Sequence, residues 1–113
     1  MSISDATRIC DATPALATFL KMHRQRIPPE TATLGGWKRL PSRHGRRVTQ
    51  EEVAEAVGVS RNWYRRLESG DGVRASMKLL IRLADAFAFT YEERTSLFLL
   101  AILEIQHAGG IES

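Results

Sequence analysis

The sequence is poorest in the residues that build cross-links, metal centres and membrane spans. Among its 113 residues there is one cysteine, Cys10, so no intrachain disulfide can form and a cysteine-based zinc site lacks ligands. A single thiol fits a reduced state and a cytoplasmic setting. The three histidines, His23, His44 and His107, lie far apart and show no i, i+4 spacing, so no metal site is expected. The longest apolar run, Leu97 to Leu103, has seven residues, whereas a membrane-spanning helix needs about 20. Residues 1–12 carry acids and no apolar stretch, which argues against a secretory signal. Gly35-Gly36 lacks the Gly-Lys that completes a phosphate-binding loop. Cys10 and His23 are a nucleophile and a base by type, but no orienting acid or oxyanion-donating loop accompanies them. No cofactor and no enzyme activity are expected.

What is present is an ordinary globular composition with an uneven charge. Apolar residues make up 43% and charged residues 26%, enough to bury one modest core. The net charge is +3, but residues 21–82 alone carry 14 Lys or Arg against six acids. Residues 83–113 carry Arg94 against five acids. A basic middle and an acidic end point to one face built for an anion. Nucleic acid is the first candidate, an acidic membrane surface the second, and a merely solvated surface the bland alternative.

Helical signals recur and strand signals do not. Thr13-Pro14 reads as an N-cap with proline at the first helical position, and Leu16, Phe19, Leu20 and His23 follow at helical spacing to about Arg26. Ile27-Pro28-Pro29 stops that helix, and residues 28–47 read as a loop, unusually long for one without a function. Thr49 and Glu52 form a capping box, and Gly58 closes the short helix they open. Ser60 caps the next helix, Arg61 to Ser69, which ends at Gly70. A fourth helix is predicted from Ser76 to Phe87, with Met77, Leu80, Ile81, Ala84 and Phe87 on one side. Thr90 and Glu93 form a second capping box, opening a fifth helix to about Gln106, with Gly109-Gly110 ending it. The fold class is therefore all-α, with five helices in one domain over residues 13–107. Residues 1–12 and 108–113 are expected to be flexible.

Residues 49–70 carry the information. Two short helices joined by Gly58-Val59-Ser60 have the three-residue turn of a helix-turn-helix. Ala54 is small where the helices cross, and Val53, Val57, Val59, Tyr64 and Leu67 face inward. The outward face of the second helix offers Arg61, Asn62 and Arg65. Arginine suits bidentate contact with guanine, and asparagine with adenine. Trp63, in the first turn, is either a base or sugar contact or a core residue. Gln50 and Ser60, at the starts of the two helices, together with Arg66, suit phosphate oxygens. The loop set Lys38, Arg39, Arg43, Arg46 and Arg47 is expected to follow the backbone or enter a minor groove. Arg74 extends that set past the recognition helix. Glu68 either reads cytosine or pairs with a nearby arginine, and its position at the far end of its helix favours the pair.

At this point the sequence resembles a known family. Gln50, Ala54 and Gly58-Val59-Ser60, then Trp63-Tyr64, Leu67-Glu68 and Gly70, are similar to the lambda-repressor-like, XRE-type helix-turn-helix domain. Glu51-Glu52-Val53-Ala54, Trp63 to Gly70, Val73-Arg74 and Ser76 resemble most the N-terminal domain of MmyB-like bacterial transcription regulators. The resemblance spans roughly Ala15 to Ala101, including a long basic loop after the first helix. Trp63 departs from the tyrosine common there, and Gln50 from a basic residue. The resemblance implies a five-helix domain that binds double-stranded DNA in a sequence-specific way and regulates transcription, as a repressor. It also implies a nucleoid location and a C-terminal sensor domain or partner protein in the longer relatives. The fifth helix is apolar on more than one face, and the surplus is expected to pack on Phe87 and Phe89, on a C-terminal domain, or on a second copy, with a homodimer the favoured outcome. The alternative function is a protein-interaction module, such as an antitoxin-like partner-binding domain.

Overall fold

A computed structural model describes the backbone of residues 12–71 and 73–112, and the side chains of 15–71 and 73–103. Five α-helices account for most of the described residues: α1 (Ala12–Arg26), α2 (Gln50–Val57), α3 (Arg61–Ser69), α4 (Met77–Ala86) and α5 (Tyr91–Glu112). Between α1 and α2 lie two short strands, β1 (Thr33–Leu34) and β2 (Trp37–Lys38), and a 3-10 turn at Pro41–Arg43. The expected flexible N-terminus, residues 1–12, lies outside the described residues except for Ala12, which is in α1.

The helix starts follow the capping residues. Thr49 Oγ1 accepts from the Glu52 N–H at 3.1 Å, and the Glu52 carboxylate accepts from the Thr49 N–H at 3.0 Å. The same exchange joins Thr90 and Glu93. Ser60 and Ser76 cap α3 and α4 by accepting from Trp63 and Leu79. Each of these bonds satisfies a backbone donor that the first turn leaves free. Gly58 and Gly70 close α2 and α3 in the left-handed region, at φ 82° and 75°, where a side chain would meet the following carbonyl.

Helix α1 packs on α5 and α3, α2 packs on α3 and α4, and α4 packs on α5. The core they enclose contains Leu16 and Leu20 from α1, Val53, Ala54 and Val57 from α2, and Tyr64 and Leu67 from α3. Leu79, Leu80, Leu83, Ala84 and Ala86 of α4, Leu97 and Ala101 of α5, and Leu34, Val48, Val73, Phe87 and Phe89 from the connections complete it. Phe19, His23, Phe87 and Phe89 add a run of tilted and edge-on rings where α1 meets the α4–α5 junction.

Four expectations need correcting. The segment 28–47 is not plain loop: β1 and β2 form an antiparallel hairpin, with Leu34 paired to Trp37 across Gly35-Gly36. Gly35 takes φ 64°, which suits a two-residue turn, and Leu34 enters the core at 1% exposure. The buried stripe of α4 is Leu79, Leu80, Leu83 and Ala84, so Met77 and Ile81 lie outside it, 57% and 43% exposed. Leu79 and Leu83, two positions on from Met77 and Ile81, take the buried side with the same i, i+4 spacing. Ala12 and Thr13 already lie within α1, so Thr13 is not its N-cap. Helix α5 continues past Gln106 through Gly109-Gly110 to Glu112. Glycine in a helix costs about 1 kcal/mol relative to alanine but removes no hydrogen bond. Among the described residues no helix is long and apolar enough to cross a membrane.

Candidate nucleic-acid interface

The two helices of residues 49–70 are held at their turn by a short set of contacts. The Gly58 and Val59 N–H groups both return to the Ala54 carbonyl, at 2.9 and 3.0 Å. Ala54 is 1% exposed, so the close crossing depends on its small side chain. Val53, Val57, Tyr64 and Leu67 are buried, and Val59 is half-buried against them. Arg82 of α4 donates to the Val57 carbonyl at 3.4 Å, steadying the turn from outside.

This packing turns one face of α3 outward. Arg61, Asn62 and Arg65 are exposed on it. Arg65 Nη2 donates to Asn62 Oδ1 at 3.0 Å, so the two side chains lie side by side one turn apart. The pairing leaves further guanidinium donors on Arg65, and the Asn62 amide N–H groups, free for an outside acceptor. Trp63 is half-buried and packs against the core. Of its two readings, this placement supports the core one. Arg66 is half-buried and donates to the Asp71 carbonyl at 3.3 Å. Ser60 is exposed, but its hydroxyl oxygen is engaged in capping α3.

The opposite end of α3 is anchored by charge. Arg24 of α1 forms a bidentate pair with Glu68, at 2.8 and 3.0 Å, and also donates to the Val48 carbonyl at 2.9 Å. Gln50 Nε2 donates to the same Glu68 carboxylate at 2.9 Å. Glu68 is thus an ion-pair partner, and Gln50 spends one amide N–H inside the protein. Burial lowers the pKa of Arg24, but the bond and charge of Glu68 outweigh it and raise the value above that of free arginine. In the sequence Arg24 reads as one more basic residue at the end of an amphipathic helix, and nothing local marks its partner.

The basic segment before α2 divides in two. Lys38, Arg46, Arg47 and, beyond α3, Arg74 are exposed. Arg43 is half-buried, its Nε 3.8 Å from a Glu52 oxygen. Arg39 does not belong with them. Its side chain has 0% exposure and its guanidinium points inward to Glu52 and to loop carbonyls, so it cannot meet a phosphate. The loop backbone offers acceptors that no sequence pattern reveals, and a guanidinium with five donors satisfies them. The net arrangement is an outward face of α3 bearing arginine and asparagine, and a basic segment that leads into α2. Among the described residues no group of three His, Cys, Asp or Glu side chains converges as a metal site would.

A short helix crossing a second one through a glycine turn, with polar donors along the outer face of the second, defines a helix-turn-helix protein. The family model described as helix-turn-helix domain matches residues 15–97. The chain belongs to that family. No curated protein and no solved structure matches the chain.

Proposed function

We propose that this chain is a sequence-specific, double-stranded DNA-binding regulator of transcription, of the XRE type and closest to the MmyB-like group. The observation that carries this reading is the outward face of α3, where Arg61, Asn62 and Arg65 stand exposed. In a helix-turn-helix the N-terminal part of the second helix meets base edges while the first crosses the backbone. Arg61, Asn62 and Arg65 then read the major groove, with Trp63 contributing at most its exposed edge. Gln50, Ser60, Arg66, Arg74, Lys38, Arg43, Arg46 and Arg47 serve the phosphates. Repression, by occlusion of an operator on the bacterial nucleoid, is the direction proposed.

The protein acts as a homodimer in this reading. Leu99, Ile102 and Leu103 lie at i, i+3, i+4 on α5 and are 55%, 44% and 53% exposed. Pairing that stripe with its copy sets two recognition helices about 34 Å apart, matching a palindromic operator. A sedimenting monomer at tens of micromolar contradicts the dimer. The same stripe favours the second reading, a protein-interaction module whose partner covers α5. The test between them is an anisotropy titration against salt. With six phosphate contacts, DNA affinity falls roughly 10³-fold or more between 50 and 200 mM. An interaction module shows no binding to test.

A further inference from the structure

We infer that Arg39 is the positioning residue of the DNA-contacting basic segment: it folds residues 40–47 into a fixed arm that carries Arg46 and Arg47 to the start of α2. The inference rests on the DNA-binding reading above and adds to it how that segment is held. All five guanidinium donors are used. Nε and Nη2 bond the two oxygens of Glu52, at 2.9 and 3.3 Å. Nη1 bonds the Pro29 and Thr31 carbonyls, at 2.7 and 2.9 Å. Nη2 also bonds the Arg43 and Arg46 carbonyls, at 3.0 and 2.9 Å. One side chain therefore ties the entry of the loop, its far limb and the first turn of α2 together.

The consequence for binding follows from chain order. Thr49 caps α2, the helix that crosses the backbone in this class. Val48, just before it, is buried and held through its carbonyl by Arg24. Arg46 and Arg47 stand immediately upstream, exposed, and the Arg46 carbonyl is one of the bonds Arg39 makes. Without Arg39 the span from Pro28 to Arg47 keeps its hairpin, a few turn bonds and one cross-loop bond, from the Gly45 N–H to the Pro29 carbonyl at 2.9 Å. A loop free to move pays ordering entropy each time its arginines meet phosphate. Glu52 serves both ends of the device, since the same carboxylate caps the Thr49 N–H. The first turn of α2 and the arm are thereby fixed by one ion pair.

The test compares R39M/E52Q, R46A/R47A and all four changes together. Glutamine retains the capping acceptor, and the two changes together remove both charges of the Arg39–Glu52 pair. Thermal unfolding establishes that each variant folds, hydrogen exchange reads residues 40–47, and anisotropy reads the salt dependence of DNA binding. R39M/E52Q is expected to expose 40–47 to exchange. It should also flatten the salt dependence as much as R46A/R47A does, by about two phosphates, or roughly tenfold less change in Kd between 50 and 200 mM. The fourfold variant should show no further loss, and preference among sequences should survive in all three. If R39M/E52Q does not fold, R39K, with three donors in place of five, carries the same expectation. A folded Arg39 variant with the wild-type salt dependence overturns the proposal, as does additive loss in the fourfold variant. DNA binding by wild type with no effect of R46A/R47A overturns it alone, whereas wild type failing to bind DNA overturns the reading beneath it.

Discussion

Arg24 and Glu68 face each other across 44 residues of sequence as a buried bidentate pair, 2.8 and 3.0 Å. Through it α1 holds the end of α3, and through Val48 and Gln50 it holds the start of α2 as well. Both side chains are nearly sealed, 9% and 1% exposed. Removing one partner leaves the other charged and buried, so Arg24→Met should cost about 3–5 kcal/mol in chemical denaturation. The double variant R24M/E68L should recover most of that. A loss below about 1 kcal/mol for R24M contradicts the anchoring role.

Tyr64 is fully buried, and its hydroxyl lies near the Glu68 carboxylate without a hydrogen bond of good geometry. Burial and the nearby Glu68 carboxylate push its pKa well above the ordinary tyrosine value. An unpaired buried hydroxyl is a cost to the fold. Tyr64→Phe should therefore leave stability unchanged or raise it by up to about 1 kcal/mol. A clear loss on denaturation shows instead that the hydroxyl has a partner.

Gly58 sits at φ 82°, and a Cβ there would meet Arg82 at an ordinary 3.5 Å. Space is therefore not the obstacle; the backbone conformation is. Gly58→Ala should cost about 1–2 kcal/mol, with the same fold by circular dichroism. An unchanged melting temperature means the turn tolerates a side chain and the account of its geometry is wrong.

Burial opposes ionisation of Glu52, but the bond from Arg39, the Thr49 N–H and the charges of Arg39 and Arg43 prevail, and its pKa lies below the ordinary glutamate value. The folded state then binds fewer protons than the unfolded one in the acid range. The resulting stabilisation is complete above the unfolded pKa and is lost as pH falls through the folded one. Wild type should lose stability below about pH 4.5 more steeply than E52Q. Parallel curves from pH 7 to pH 3 contradict the assignment.

Arg65 and Arg46 are expected to fail in different ways. Arg65→Ala should flatten the preference for one base pair by about 1–3 kcal/mol. Arg46→Ala should weaken all sequences alike and reduce the salt slope by about one. Equal losses on operator and random duplex for both variants contradict the division between reading and holding.

The helices were legible because their ends are written locally: Thr49 with Glu52, Thr90 with Glu93, Ser60, Ser76, Gly58 and Gly70 each act within a few residues. What was not legible depends on distant partners. Arg39 and Arg43 look alike in sequence, and only the carbonyls gathered by the loop separate them. Arg24 and Glu68 are 44 residues apart, so neither announces the other. The hairpin had a signal, Gly-Gly between Leu34 and Trp37, but strands of two residues show no alternation. On α4 two apolar stripes compete, and packing against α2 and α5 selected the one containing Leu79 and Leu83 over Met77 and Ile81.

The central claim is that the outward face of α3 reads sequence. Selection of duplexes from a randomised pool, with sequencing of the bound fraction at 50 and 200 mM salt, tests it most directly. The account predicts a palindromic motif with half-sites about one helical turn apart, lost from the selection when Arg61 and Arg65 are replaced by alanine. No enrichment at either salt contradicts it, and moves the function to the exposed stripe of α5 and a protein partner.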